Sequence, residues 1–277
     1  MLVKNNAKLL NMLSKNRIKQ INSLQIKKFR QESGTFVAEG TKVVLELLRS
    51  NLKIKEIFAV PEWILTYAER FGNTLITAVN AVEIRKLSAM TTACSVVAEV
   101  YAPNYEENTQ LKKGEVYLAL DGVRDPGNLG TILRIANWYG ISTVLASDDC
   151  TDMFNPKVVQ AAMGSAFRVK LIYCNLYKKL TEAKNQGIEI FGTFVGGENI
   201  YDADIKQGGI IVMGNEGHGI SQEIEKTVTR KIAIPCGCDA STAPESLNVS
   251  SATAIVCGEF FRVRQKNDYN KECNPAV

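Results

Sequence analysis

The sequence is poor in histidine: its 277 residues contain one, His218. Zinc sites and Ser-His-Asp hydrolases both depend on histidine side chains, and no G-x-S-x-G nucleophile turn is present to support a hydrolase. Cys236 and Cys238 lack a second closely spaced cysteine pair that would complete a zinc site. We therefore expect no metal centre and no catalytic triad, and we assign His218 no catalytic role.

Two nucleotide-binding signatures are missing as well. No G-x-x-x-x-G-K-[ST] loop occurs, and the loop after the first strand of the second half does not match G-x-G-x-x-G. Nucleotide hydrolysis and hydride transfer therefore lose support. The sequence also lacks a signal peptide and any apolar run long enough to cross a membrane, and its seven scattered cysteines are typical of reduced thiols. These features predict a cytoplasmic protein.

Positive charge is concentrated near the N-terminus. Residues 1–55 contain twelve Lys or Arg and three Asp or Glu, whereas the remaining residues carry a net negative charge. A basic lobe suggests a polyanionic partner, although a solvated helical face would give the same composition. Under the first interpretation, the side chains that would contact the polyanion are Lys15, Arg17, Lys19, Lys27, Lys28 and Arg30.

Hydrophobic periodicity divides the chain into two α/β domains. The first, residues 1–104, begins with a helix to about Glu32 and continues with short strands and helices. Residues 105–114 are polar and aperiodic, which predicts a linker. The second domain, residues 115–277, alternates strand and helix, which predicts a parallel sheet covered by helices on both faces. Its expected strands are 115–120, 143–146, 169–172, 188–193, 209–213 and 231–234.

Glycine and polar side chains follow several of these strands. Residues 121–130 follow the first strand, residues 214–219 follow the fifth, and a long segment follows the last. Because the carboxyl ends of parallel strands share one edge of the sheet, these loops should meet there and form a ligand site. The long segment ends in Ser246–Ser250 (Ser-Leu-Asn-Val-Ser), whose hydroxyl and amide groups can cap a helix or contact a ligand.

Three ordered segments resemble the motifs of the SpoU/TrmH family of S-adenosylmethionine-dependent RNA 2′-O-ribose methyltransferases. They are Asn128-Leu129-Gly130 followed by Arg134, Gly214-Asn215-Glu216-Gly217 followed by Gly219-Ile220-Ser221, and Ile234-Pro235 followed by Ser246–Ser250. The first domain resembles, more loosely, the small substrate-binding domain of many members, through Phe36-Val37-Ala38-Glu39-Gly40. The chain between Pro235 and Ser246 looks longer than the family usually has, which leaves substrate choice open.

The resemblance implies roles for the matching residues. Arg134 would clamp an RNA phosphate and position the ribose hydroxyl, because a guanidinium stays protonated and is a poor general base. Glu216 would hold Arg134 or a neighbouring backbone group, and Asn128 would cap the following helix or face the phosphate or ribose. The implied catalytic group is Asn128, Arg134, Glu216, Ser246 and Asn248.

S-adenosylmethionine is the cofactor that the resemblance implies. Ile234 and Leu247 would enclose the adenine, and Gly214 would let the backbone approach the adenosine. Ser246 and Asn248 would face the substrate or the methionine end. The implied cofactor-binding residues are Gly192, Thr193, Gly214, Asn215, Gly217, Ile234 and Leu247. No metal is needed, because the sulfonium is already a good leaving group.

The resemblance further implies a deep trefoil knot in the second domain and a homodimer with the active site near its interface. RNA is the expected partner, with ribosomal RNA ahead of transfer RNA. Two other functions stay open at this point. One is a non-catalytic RNA-binding protein that keeps the fold, and the other is a transferase with a small-molecule acceptor, which the basic lobe disfavours.

Overall fold

Two α/β units make up the chain, each built on one sheet. One unit contains residues 1–104 together with 152–168, and the other contains residues 105–151 together with 169–277. No helix among the described residues is long and apolar enough to cross a membrane. The computed structural model describes residues 7–8, 13–92, 94–105, 109–205, 208–239 and 244–273.

A five-stranded sheet forms the first unit. Its strands are β1 (Ala7–Lys8), β2 (Thr35–Glu39), β3 (Ile54–Ala59), β4 (Ile76–Ala78) and β5 (Val96–Tyr101). They lie in the order β1-β4-β3-β5-β2, with β5 antiparallel to both of its neighbours. The α-helices before β5 are α1 (Lys15–Ser23), α2 (Lys27–Ser33), α3 (Thr41–Glu46), α4 (Pro61–Tyr67) and α5 (Ala81–Leu87).

The predicted single helix to about Glu32 is wrong, because the chain turns between α1 and α2. The turn lets Ile21 and Leu24 both enter the core of the unit. Nη1 of Arg30 donates a hydrogen bond to the Leu24 carbonyl at 2.7 Å, and this carbonyl would otherwise lack a helical donor at the end of α1. Hydrophobic periodicity does not predict this side-chain to backbone hydrogen bond, although it spans only six residues.

The second unit contains a six-stranded sheet in which all paired strands run parallel. Its strands are β6 (Val116–Leu120), β7 (Thr143–Ala146), β8 (Lys170–Tyr173), β9 (Ile190–Asn199), β10 (Gly209–Met213) and β11 (Arg230–Ala233). The α-helices of this half of the chain are α6 (Pro126–Trp138), α7 (Pro156–Ala162), α8 (Leu176–Asn185), α9 (Gln222–Glu225) and α10 (Val249–Cys273). The predicted parallel sheet is confirmed.

The strand order β11-β9-β10-β6-β7-β8 places a switch point at the middle of this sheet. β6 and β10 are neighbours, but β6 leads to β7 on one side, whereas β10 leads through α9 to β11 on the other. In open parallel sheets, ligands bind beyond the carboxyl ends of the strands at the point where the connections diverge, which here is the end of β6 and β10. The loops after β6 and β10 are therefore the candidate ligand-binding loops.

Part of the predicted linker belongs to the core of the second unit. Leu111 is only 8% exposed and packs in the same apolar cluster as Tyr117. The backbone N–H of Lys112 donates to the hydroxyl of Tyr117 at 2.9 Å. Buried apolar surface and a specific hydrogen bond fix this stretch, so it is not a free connection.

Residues 152–168, predicted to lie within the second domain, instead form part of the first unit. The ring of Phe154 stacks on that of Phe36 in β2 with centroids 4.3 Å apart. Phe167, which is buried, also packs on Phe36, with centroids 6.0 Å apart. These aromatic contacts explain why this segment, with α7, completes the core of the first unit.

Candidate active site

The loop after β6 turns directly into α6. Oδ1 of Asp125 accepts a hydrogen bond from the backbone N–H of Asn128 at 2.8 Å, and Pro126 occupies the first turn. Asp125 is therefore the helix cap, and the predicted capping role of Asn128 is wrong. Because Asp125 caps the helix, the side-chain amide of Asn128 is available for other hydrogen bonds.

Asn128 joins the loops that the sequence placed at the sheet edge. Its Nδ2 donates to Oε1 of Glu216, in the loop after β10, at 2.7 Å. Its Oδ1 accepts from Nδ2 of Asn248, directly before α10, at 2.9 Å. A carboxylate can only accept hydrogen bonds, so Glu216 sets the orientation of the Asn128 amide and turns its oxygen towards Asn248. We call these three residues the amide network.

Asn248 is at the same time the cap of α10, as predicted for this segment. Its Oδ1 accepts hydrogen bonds from the backbone N–H and the hydroxyl of Ser250, at 3.0 and 2.6 Å, and from the N–H of Ser251 at 3.3 Å. The backbone carbonyl of Asn248 accepts from the N–H of Ala252 at 2.9 Å. Since its side-chain oxygen is used by the helix, the side-chain nitrogen is the group that faces Asn128. The amide network is therefore oriented from both ends.

Arg134 makes no hydrogen bond or ion pair with Glu216, which we expected to hold either Arg134 or a neighbouring backbone group. Its side chain is exposed on α6 and makes no hydrogen bond or ion pair with any residue that the structure describes. The helical spacing of Thr131, Arg134 and Trp138 places them along one face of α6, and Trp138 is 83% exposed. The guanidinium therefore remains available to a ligand.

Asn215 shapes the loop after β10 with its side chain. Its Oδ1 accepts from the N–H groups of Gly217 and His218 at 2.9 and 3.2 Å, and its Nδ2 donates to the carbonyl of Gly122 at 2.7 Å. These bonds tie the loops after β6 and β10 together at the switch point. Asn215 and Gly217 therefore help to build this loop, and their contact with the cofactor stays a prediction.

Two of the predicted glycines are required by the fold itself. A Cβ on Gly214 would lie 2.2 Å from the carbonyl carbon of Gly219, in the same loop. A Cβ on Gly192 would lie 2.6 Å from the ring of Phe194 and 2.8 Å from Val228. Both distances are far below van der Waals contact, so a side chain at either position would displace its neighbours.

β9 is longer than predicted, and Thr193 lies inside it rather than at its end. The strand continues to Asn199 and pairs with β11 across a register shift. The hydroxyl of Thr193 donates to the carbonyl of Val212 in β10 at 3.0 Å. Thr193 thus links two strands of the sheet, and its hydroxyl hydrogen is used within the protein.

The segment between β11 and α10 has the features of a binding surface. Ile234 is half-buried, Ser246 is exposed, and the side chain of Leu247 is 48% exposed. Within the described residues, the backbone of 234–238 makes no backbone hydrogen bond, so its N–H and C=O groups are free for a ligand. Apolar side chains beside unused backbone groups suit an adenine ring. The described residues include no cluster of His, Cys, Asp or Glu that could hold a metal ion.

Sequence reasoning missed the carboxylates that hold these loops in place. Asp121 is buried and accepts a hydrogen bond from the N–H of Ser221, before α9, at 2.7 Å. Asp149 accepts from the hydroxyl of Ser147 at 2.6 Å and from Arg124 at 2.8 Å, and these two bonds lower the pKa of its carboxyl. Each carboxylate lies within three residues after the end of a strand, and this position could have identified it from the sequence.

Two of the six basic residues predicted to contact RNA are used inside the first unit. Arg30 is 5% exposed and donates to Oδ2 of Asp152 at 2.9 Å. Arg17 donates to Glu56 and Glu99 at 2.5 and 2.6 Å. Both guanidinium groups are held by carboxylates, which corrects their placement on an RNA surface. The exposed members of the set are Lys15, Lys19, Lys27 and Lys28.

Comparison with known families matches residues 115–258, more than half of the chain, to the SpoU rRNA Methylase family. The chain belongs to this family. Residues 15–98 match the MRM3-like substrate binding domain.

Relatives of this SpoU family member act on ribosomal RNA. The 23S rRNA (guanosine(2553)-2'-O)-methyltransferase RlmP of Bacillus subtilis (strain 168) is 30% identical over 246 residues, covering 87% of this chain and 94% of the relative. The 23S rRNA (guanosine-2'-O-)-methyltransferase RlmB of Ralstonia nicotianae is 33% identical over 207 residues, covering 72% and 81%. The crystal structure of AdoMet-bound rRNA methyltransferase from Sinorhizobium meliloti is 29% identical and covers 93% of this chain and 98% of that one, with a TM-score of 0.81.

Proposed function

We propose that this SpoU family member transfers a methyl group from S-adenosylmethionine to a ribose 2′-hydroxyl of ribosomal RNA, with transfer RNA as the second candidate substrate. The relatives supply the reaction class, since both are 2′-O-methyltransferases of 23S rRNA. The observation that carries the proposal is the amide network, which holds Glu216, Asn128 and Asn248 within hydrogen-bond distance at the switch point. A protein that only binds RNA has no need of this arrangement, so the non-catalytic alternative is not favoured.

Arg134 is the proposed phosphate clamp. A guanidinium stays protonated at any working pH, so it cannot take the proton of the ribose hydroxyl. Its fork of N–H donors suits a phosphate, and a fixed phosphate would hold the neighbouring 2′-hydroxyl in line with the methyl group. The proposed proton acceptor is a phosphate oxygen of the RNA. Ser246, exposed next to Leu247, is proposed to face the same substrate.

The segment between β11 and α10 is the proposed cofactor surface. Ile234 and Leu247 would enclose the adenine, and the unused backbone groups of 234–238 would bond to its edge. When bound, S-adenosylmethionine supplies a methyl group on a positively charged sulfur. Asn248, held by Asn128, fixes the end of this segment, so that bound cofactor and substrate are excluded from water. Gly192 and Thr193 remain proposed lining residues of the same pocket.

The first unit is the proposed RNA-docking domain. Its match to a substrate binding domain supports this role. The exposed Lys15, Lys19, Lys27 and Lys28 would contact phosphates without reading sequence. Because ribosomal RNA is the proposed substrate, the cytoplasm is the proposed location.

A homodimer is proposed through the exposed apolar face of α6 and α10. Trp138 is 83% exposed, and Ile255 and Phe261 of α10 are also exposed. The rings of Tyr139 and Phe261 lie 5.4 Å apart, which brings the two helices together at this face. Contiguous exposed apolar side chains of this size mark interfaces. The substitution Trp138→Asp should therefore shift the sedimentation coefficient towards that of a monomer. The trefoil knot stays a prediction from the family.

The proposed function is tested by methyl transfer to unmodified RNA. Purified protein is incubated with methyl-labelled S-adenosylmethionine and ribosomal RNA from cells that lack the protein, and ribose methylation is mapped. We expect label at a single ribose of 23S rRNA and about a hundredfold slower labelling with the Arg134→Ala variant. Label in transfer RNA alone would mean that the substrate is transfer RNA and not ribosomal RNA. Cofactor binding without label in any RNA would favour the non-catalytic alternative.

A further inference from the structure

Tyr101 is the last residue of β5. Its ring lies beside two lysines, namely Lys55 in β3 and Lys53 directly before β3. The side chain of Tyr101 is 40% exposed. Nζ of Lys53 lies 5.6 Å from the centroid of the Tyr101 ring, and Nζ of Lys55 lies 5.9 Å from it. The backbone N–H of Tyr101 donates to the carbonyl of Lys53 at 2.9 Å, which fixes the ring next to these lysines. The result is an exposed aromatic ring flanked by positive charge.

Carboxylates beneath this ring hold one of the two lysines. Lys55 donates to Oε1 of Glu99 at 2.9 Å, and the hydroxyl of Thr35 donates to the same oxygen at 2.9 Å. Arg17 bonds to the other oxygen of Glu99 and to Glu56. The charges of Arg17 and Lys55 are thus balanced by those of the two glutamates.

Lys53 is left with unbalanced charge. It is exposed and makes no ion pair with any residue in the described part of the chain. The neighbouring sequence adds to the positive charge, since residues 1–55 carry twelve Lys or Arg against three Asp or Glu. An anionic occupant therefore fits the surface of Tyr101 and Lys53, and a negatively charged polymer fits it better than an apolar partner.

We propose that Tyr101 stacks against an unpaired base of the RNA substrate while Lys53 contacts a phosphate of the same strand. This inference rests on the proposed function and adds residues to its RNA-docking domain. Every base presents a flat ring face, and base–aromatic stacking beside basic side chains is the usual way in which proteins hold single-stranded RNA. In a duplex the ring faces are covered by neighbouring bases, so the surface selects unpaired nucleotides.

The test measures affinity for a fluorescent single-stranded RNA and for its duplex at several salt concentrations. Tyr101→Leu should weaken single-strand binding about tenfold, and Tyr101→Phe should keep it, because the ring is retained. Lys53→Gln should lower the log–log salt slope by about 0.7. Cofactor affinity, measured by calorimetry, and the thermal unfolding midpoint should stay at the wild-type values in all three variants.

Matched controls come from α8 of the second unit, where Tyr177 is 38% exposed and Lys178 is exposed. Tyr177→Leu and Lys178→Gln should leave binding unchanged. The inference is overturned if Tyr101→Leu binds single strands like the wild type, or if it weakens duplex binding equally. Either result overturns the inference but leaves the proposed function intact, provided that the wild type still transfers methyl groups. A wild type that binds no RNA overturns this inference and the proposed function together.

Discussion

Asn248 and Asn128 are 120 positions apart in sequence, yet Nδ2 of the first lies 2.9 Å from Oδ1 of the second. The opposite end of the Asn128 amide donates to Glu216, so a single side chain bonds to two distant loops. The orientation of each amide depends on the other and on the carboxylate. A substitution that removes one donor should therefore disturb all three loops.

Asn128→Asp tests this dependence. The new carboxylate cannot donate to Glu216, and the two negative charges would repel each other. We expect methyl transfer to fall at least about tenfold, the effect of losing one charged hydrogen bond. The control is Asn175→Asp, because Asn175 caps α8 through the N–H of Lys178 and an aspartate caps equally well. Equal activity of the two variants would contradict the assigned role of the network.

Arg134→Ala should separate catalysis from binding. The side chain is exposed and unpaired within the described residues, so unfolding free energy should change by less than about 0.5 kcal/mol. Loss of substrate positioning should lower methyl transfer about a hundredfold, with S-adenosylmethionine affinity unchanged in calorimetry. Arg49→Ala, an exposed arginine of the first unit, is the control. Near-normal turnover of Arg134→Ala would remove Arg134 from the mechanism.

Thiol reactivity should report on the proposed cofactor surface. Cys236 and Cys238 are exposed between β11 and α10, whereas burial raises the pKa of the Cys257 thiol to about 12. Since the thiolate is the reactive form, iodoacetamide should modify Cys236 and Cys238 and spare Cys257 in the native protein. S-adenosylmethionine should slow both reactions, as followed by mass spectrometry. Unchanged rates with saturating cofactor would place the cofactor elsewhere.

Glu99 should make the stability of the first unit depend on acid pH. Burial alone would raise the pKa of this carboxyl, but hydrogen bonds from Lys55, Arg17 and Thr35 outweigh it and lower the pKa. A lowered folded pKa stabilises the protein above the unfolded value of about 4.3, and this stabilisation is lost as the pH falls through the folded pKa. Urea midpoints should therefore drop below about pH 4. Glu99→Gln should flatten this dependence, whereas the exposed Glu69→Gln should preserve it.

Phe167→Ala should destabilise the first unit although the residue lies in the sequence range of the methyltransferase family. Deleting a buried phenylalanine costs about 3–5 kcal/mol. Trp63 and Trp138 are the two tryptophans of the sequence, so in a Trp138→Phe background the change in fluorescence on urea unfolding reports on Trp63, which is buried in the first unit. The midpoint of the unfolding transition seen in Trp63 fluorescence should shift to a lower urea concentration. A shift no larger than that of Val195→Ala, an exposed position of the second unit, would count against the packing described.

Local patterns predicted the strands of the second unit because each is a short apolar run bounded by turn residues. All six were placed, and only β9 extended well beyond its expected end, at Asn199. The cap at Asp125 could also be predicted from the sequence, because the capping residue directly precedes a proline in the first turn of a helix. Capping by Asn128 was one of two roles left open, and the position of Pro126 favours Asp125 over Asn128 as the cap.

Tertiary partners account for the remaining errors. Nothing near Phe36 in sequence reveals that Phe154 will stack on it. The bond from Arg30 to the Leu24 carbonyl spans only six residues, but periodicity does not predict it. The amide network has the same origin: the three motifs were recognised separately, but the hydrogen bonds between Asn128 and its two partners depend on the strand order. Periodicity reports burial, and it carries no information on which buried groups meet.

The placement of residues 152–168 also affects when the first unit can complete its core during synthesis. When the ribosome has released residues 1–104, Phe36 still lacks Phe154 and Phe167, the two aromatic rings that cover it. The first unit can complete its core only after β6, α6 and β7 of the other unit have been synthesised. N-terminal domains usually fold first during translation. In this chain the N-terminal unit is synthesised first, but the side of Phe36 that Phe154 and Phe167 cover stays open until the middle of the sequence has been made.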